Sequence, residues 1–154
     1  MKKVIFEQTG NIITTLLLLA TSFEIINNFK GESYNFQISF GVYSFALTIW
    51  LLVFTVSRVI YSKFDKQYDI KKGEYSGSDE REEVISQKAS IGAYKTVTFT
   101  LLVFFLITVV MALLTKLLVF NIVNFYVISL LFLGISIITG FLAYLLIWIV
   151  LYLK

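Results

Sequence analysis

The chain has 154 residues, 58% of them hydrophobic, 17% aromatic and 15% charged, whereas a soluble domain is about 45–50% apolar and about 25% charged. A body of this size buries only about two thirds of its unfolded surface, so the excess apolar surface calls for lipid as solvent, and the chain reads as an all-α integral membrane protein. Cysteine and histidine are both absent, which excludes disulfides and sulfur-ligated metals and removes the usual general base and the commonest metal ligand; the net charge of +3 belongs to basic residues beside apolar stretches, which points to membrane topology rather than nucleic acid.

A crossing needs about 20 mostly apolar residues, and four stretches supply it. The first covers about residues 4–26 and is the weakest, being cleanly apolar only from Ile12 to Phe23. At about 100° per residue, Glu7, Asn11, Thr14 and Thr21 share one arc flanked by Thr15 and Ser22, a polar side that faces other helices. Glu7, Asn11 and Glu24 are the candidate intramembrane polar residues. Both carboxylates lie near the ends of the span, where reaching the wet headgroup layer lowers the cost of charge. Lys2 and Lys3 ahead of an apolar run ending in Ala20-Thr21-Ser22 also read as a secretory signal. That reading ranks second, because Glu7 and Asn11 interrupt the run.

The second span, about 38–61, carries Gly41, Ser44, Thr48, Thr55 and Arg58 at helical steps, a face suited to close helix packing. Trp50, near its middle, is expected against a neighbouring helix or lipid tails. Segment 62–96 then holds seven basic and seven acidic residues, basic from Lys63 to Lys72 and acidic from Asp79 to Glu83. Gly73 to Gly77 reads as a flexible turn. Ser78 reads as an N-cap, with Asp79 and Glu80 favouring the positive end of the helix that follows. Val84, Ile85, Ala89, Ile91 and Gly92 continue at helical spacing, so this helix either lies on the membrane surface or, the preferred reading, runs into the third span with a potential break at Gly92. The charges serve as a solvated face whose basic residues anchor to anionic lipid headgroups. The sharper reading makes Asp79, Glu80, Arg81, Glu82 and Glu83 a docking surface for a partner.

Asp79-Glu80-Arg81, then Ile85, then Lys88-Ala89, leading into a spanning helix, resembles a segment of small bacterial membrane proteins of two to four helices. The resemblance covers about residues 79–118. Such proteins are found beside regulators, exporters or peptide-toxin systems, so it implies an accessory or immunity-type role and carries over no catalytic residue.

The third span covers about 97–118 and the fourth about 124–152, joined by a tight turn at Phe120 and Asn121. The fourth exceeds the bilayer thickness, so it must tilt or protrude. Ser136, Thr139, Gly140 and Ala143 give it a small-residue packing face. Lys and Arg are retained on the cytoplasmic side. Eleven basic residues (Lys2, Lys3, Arg58, Lys63, Lys66, Lys71, Lys72, Arg81, Lys88, Lys95 and Lys154) lie at one side of the four spans, against Lys30 and Lys116 at the other. Both termini and segment 62–96 are therefore expected in the cytoplasm. Tyr61, Tyr94, Trp148 and Tyr152 fall at inner ends and Tyr34, Tyr43 and Tyr126 at outer ones, as interfacial aromatics should.

No catalytic, cofactor or metal set stands out, and the absence of proline argues for unbroken helices rather than those of a transporter. The expectation is a single-domain, multi-pass cell-membrane protein that is no enzyme. It would work by binding another membrane protein, or itself, within the lipid bilayer, with no role for nucleic acid. The alternative is a small oligomeric channel or exporter lined by the polar face of the first span. A membrane enzyme using carboxylates of the 62–96 segment is a third reading, but no pair is singled out by spacing.

Overall fold

The computed structural model describes residues 2–28, 30–32, 35–37, 40–65, 68–75, 79–118 and 122–154, with the backbone alone for 30–32, 35–37, 74, 114–118 and 122–124. Tyr34, Lys66, Ser78, Phe120 and Asn121, invoked above, lie outside the described residues, as do the side chains of Lys30, Lys116 and Asn124. The described residues form α1 (Lys2–Asn28), α2 (Val42–Phe64), α3 (Glu80–Leu118) and α4 (Ile122–Leu153). All four helices are long and apolar enough to cross a membrane.

Two smaller elements join them. β1 (Lys30–Glu32) and β2 (Asn35–Gln37) form an antiparallel ribbon after α1, with Lys30 opposite Gln37 and Glu32 opposite Asn35; nothing in the periodicity announced it. Between α2 and α3, Gly73–Tyr75 form a 3-10 turn that packs against α1. Residues 68–75 therefore form a strap folded against the helices; of the turn expected from Gly73 to Gly77, residues 76 and 77 lie outside the described residues.

The helices pack as a row in the order α2, α1, α4, α3. Close approach occurs at glycines. The position of a Cβ on Gly10 is taken by the Phe54 ring, on Gly134 by Leu19, on Gly92 by Ile147 and on Gly140 by Val97, so each helix presses a side chain into a notch on its neighbour. Gly92 is thus a contact point inside an unbroken α3 rather than a break. Phe104 of α3 stacks on Phe132 of α4 with centroids 4.4 Å apart. On α4, Ser136 and Gly140 are buried as expected. On α2, Thr48 and Thr55 are exposed, contrary to the packing face proposed for them. The face of α2 that meets α1 keeps Ser44 and Arg58 of the expected set and adds Trp50 and Phe54, whose aromatic rings fill the groove. The Thr48 hydroxyl returns to the carbonyl of Ser44 at 2.9 Å, satisfying itself within its own helix.

The apolar core lies at the end of the row that carries both termini. It gathers Val4 of α1, Ile85 and Ala89 of α3, and Tyr144 and Trp148 of α4. Trp148, expected at the inner end of the fourth span, is 0% exposed. The reason is the length of α3: it begins at Glu80, and its first turns continue alongside α4 and cover the indole. Thirty-nine residues make α3 about 58 Å long, well beyond a hydrocarbon core of about 30 Å. Ser78, the expected cap, lies outside the described residues. The Arg81 backbone N–H donates to Asp79 Oδ1 at 3.2 Å, so Asp79 performs the capping.

Candidate functional site

Glu7 and Arg58 lie at matching depths on the antiparallel helices α1 and α2, and the strap closes over them. Arg58 Nε donates to Glu7 Oε1 at 2.8 Å. The Tyr68 hydroxyl donates to the same Glu7 oxygen, and Arg58 Nη2 donates to the carbonyl of Ile70 at 3.0 Å. Glu7 is 2% exposed and Tyr68 4%. This corrects the expectation that Glu7 reaches a wet headgroup layer. The carboxylate is held instead by a guanidinium and a phenol, the arrangement a buried charge requires.

Aromatic rings wall the pair. Phe6 stacks on Tyr61 with centroids 5.3 Å apart, Tyr61 meets Tyr68 edge-on at 4.9 Å, and the Arg58 guanidinium lies 5.9 Å from the centroid of Phe54. Gly73 completes the closure. Its φ of +54° suits glycine, and a Cβ there would stand 3.3 Å from Arg58 Nη2 and 3.6 Å from Glu7 Cδ. Burial first, and then the bond to the Glu7 carboxylate, push the Tyr68 hydroxyl up to about 12 from an ordinary value of about 10. The phenol therefore stays protonated and donating across the physiological range.

Of the two remaining intramembrane candidates, Glu24 is engaged as well. Glu24 accepts the Tyr43 N–H at 3.1 Å and the Ser44 N–H at 3.2 Å, so it caps α2 from α1 and meets the positive end of that helix. Gly41 leaves room for it, since a Cβ there would displace the carboxylate. Asn11 is half-buried on α1, and one turn further the Trp50 indole donates to Thr14 Oγ1 at 2.9 Å. The expected polar side of the first span does face a neighbour, and that neighbour is α2.

The acidic cluster divides into two parts. Glu82 pairs with Lys3 of α1 at 2.8 Å, and Arg81 donates to the carbonyl of Tyr152 at 3.2 Å; both tie α3 to other helices. Asp79, Glu80 and Glu83 are exposed. Among the described residues no three carboxylates converge as a metal site would need.

Sequence reasoning singled out Glu7 and Arg58 separately, without joining them, and passed over Tyr68. The signal for the pair was available: Glu7 lies near the start of one span and Arg58 near the end of the next, hence at one level in an antiparallel hairpin. Tyr68 gave no such signal, because its place depends on how the strap folds back. Comparison with family models, curated proteins and solved structures finds no match for this chain.

Proposed function

We propose that this is a multi-pass protein of the cell membrane, with both termini and the strap in the cytoplasm, that acts without catalysis by binding another membrane component. The orientation rests on the basic residues gathered at one side of the spans. The reading is carried by one contrast. The ionisable groups of α1 at Lys3, Glu7 and Glu24 are engaged within the chain, whereas α2 has no buried residue at all and the apolar part of α3 has none either. The two flanking helices thus offer their apolar faces outward, and Asp79, Glu80 and Glu83 offer charge beside them.

A reporter fused near Tyr75 tests the topology, which fails if that reporter is accessible from outside the cell. Cross-linking in the intact membrane and then purification tests the binding role. A partner that is lost when Asp79, Glu80 and Glu83 are neutralised supports it, and one retained unchanged removes the acidic cluster as the docking surface. The channel reading loses support from the capping role of Glu24, since that carboxylate is held at the end of α2 rather than aimed along a path. Ion flux in liposomes that falls with Glu24→Gln or Asn11→Leu would restore it.

A further inference from the structure

Two cavities open along α3. The first, of about 530 Å³, lies where the strap meets the start of α3 and is lined by Lys72, Tyr75, Glu83, Ser86, Gln87 and Ser90, with Ile91 at its edge. The second, of about 500 Å³, lies between α3 and α4, and its walls are mainly Leu101, Leu102, Phe104, Phe105, Phe132 and Leu133. At 100° per residue, Glu83, Gln87, Ser90, Tyr94, Thr98 and Leu101 fall within an arc of about 80°, so both cavities open on one face of the helix. Their centres along α3 are about 16 residues apart, or about 23 Å. One bilayer leaflet, headgroups included, is about 20–22 Å thick.

The polar cavity holds one charge of each sign. Lys72 and Glu83 are both exposed, and neither has an ion-pair partner among the described residues. Tyr75, Ser86 and Ser90 line the same space, with the Ser90 hydroxyl 3.4 Å from that of Tyr75. We propose that this face binds one phosphatidylethanolamine molecule of the surrounding bilayer, with its phosphate at Lys72, its ammonium at Glu83 and one acyl chain running past Tyr94 and Thr98 into the apolar cavity. A headgroup with only negative charge would meet Glu83 unfavourably. A quaternary ammonium has no N–H to donate to Glu83 or Gln87, whereas a primary ammonium has three.

The site rests on the membrane reading above and is tested apart from it. Alkaline carbonate extraction decides whether the chain is embedded; release into the supernatant would defeat the membrane reading itself. Embedded protein purified in mild detergent is then incubated with equal amounts of phosphatidylethanolamine and phosphatidylglycerol, and retained lipid is counted by native mass spectrometry. One phosphatidylethanolamine per chain is expected, favoured about fivefold, the effect of one charge contact at a membrane surface. Glu83→Gln should bring the two lipids to parity, and Leu102→Trp, which fills the apolar cavity, should abolish retention of both. Embedded protein that retains no lipid, retains the two equally, or keeps its selectivity in either variant would overturn the proposal.

Discussion

Replacing Glu7 by Gln removes one charge while nearly preserving shape, which isolates what the carboxylate contributes beneath the strap. Breaking a fully buried ion pair costs about 3–5 kcal/mol, because the abandoned partner stays desolvated. Here the Glu7 side chain is 3% exposed but that of Arg58 is 30% exposed. Water therefore recovers part of the guanidinium solvation, and the expected loss is about 2–3 kcal/mol. At about 2–4 °C per kcal/mol for a chain of this length, the melting midpoint in detergent falls by roughly 5–10 °C. The strap should loosen with it, since Arg58 also holds the Ile70 carbonyl, and trypsin should cut faster at Lys71 and Lys72. The companion variant Glu7→Gln with Arg58→Met should regain part of the loss, because removing both charges leaves none stranded. A midpoint within 1 °C of the parent together with unchanged digestion would falsify the idea that this pair closes the strap. So would a double variant whose loss is simply the sum of the two single losses.

Three further predictions concern neighbouring parts of the same framework. Tyr68, pushed up to about 12 from an unfolded value near 10, contributes stability that is whole below about pH 10 and is lost as pH rises through about 12; the tyrosinate difference absorbance between parent and Tyr68→Phe should titrate near 12, and a midpoint near 10 would refute its burial against Glu7. Gly73→Ala meets an unfavourable positive φ and the crowding beside Arg58 Nη2, so it should cost about 1–2 kcal/mol, whereas an unchanged melting midpoint would mean that the turn is not docked. Glu24→Gln should cost about 1 kcal/mol by weakening the cap on α2 and should speed hydrogen exchange at Tyr43 and Ser44; unaltered exchange there would contradict the capping role.

The four helices were legible in the sequence because a chain built to cross lipid obeys a simple rule: each such helix must be long, apolar and internally hydrogen-bonded. Within the helices, the hydroxyls of Thr14 and Ser136 return to their own preceding turns. What could not be read was the order of neighbours. Composition does not distinguish a face that meets lipid from one that meets another apolar helix, so Thr48 and Thr55 looked like packing residues and proved exposed. The burial of Trp148 was equally hidden, because it follows from the turns of α3 between Glu80 and Ala89. The ion pair of Glu7 with Arg58 lay within reach of a depth argument. The strap that covers it did not, because Tyr68 and Gly73 are placed by tertiary contacts rather than by any period.

The weakest span turns out to occupy the middle of the row, and its polarity explains how. A helix carrying Lys3, Glu7, Asn11, Thr14 and Glu24 gains less from lipid than α2 or α4, so its position must be fixed by specific partners. Four such ties act at successive depths along α1: Lys3 to Glu82 of α3, Glu7 to Arg58 of α2 and Tyr68 of the strap, Thr14 to Trp50, and Glu24 to the start of α2. Between apolar helices in lipid, polar contacts of this kind set register where non-directional packing cannot. On the other side, Leu19 seats in the notch at Gly134 and Val4 enters the core around Trp148. Polar ties thus hold α1 chiefly to α2 and the strap, and apolar packing holds it to α4. Loss of α1's charged groups should therefore release α2 and the strap before it disturbs the α3–α4 pair, an order that hydrogen exchange on the Glu7→Gln variant would resolve helix by helix.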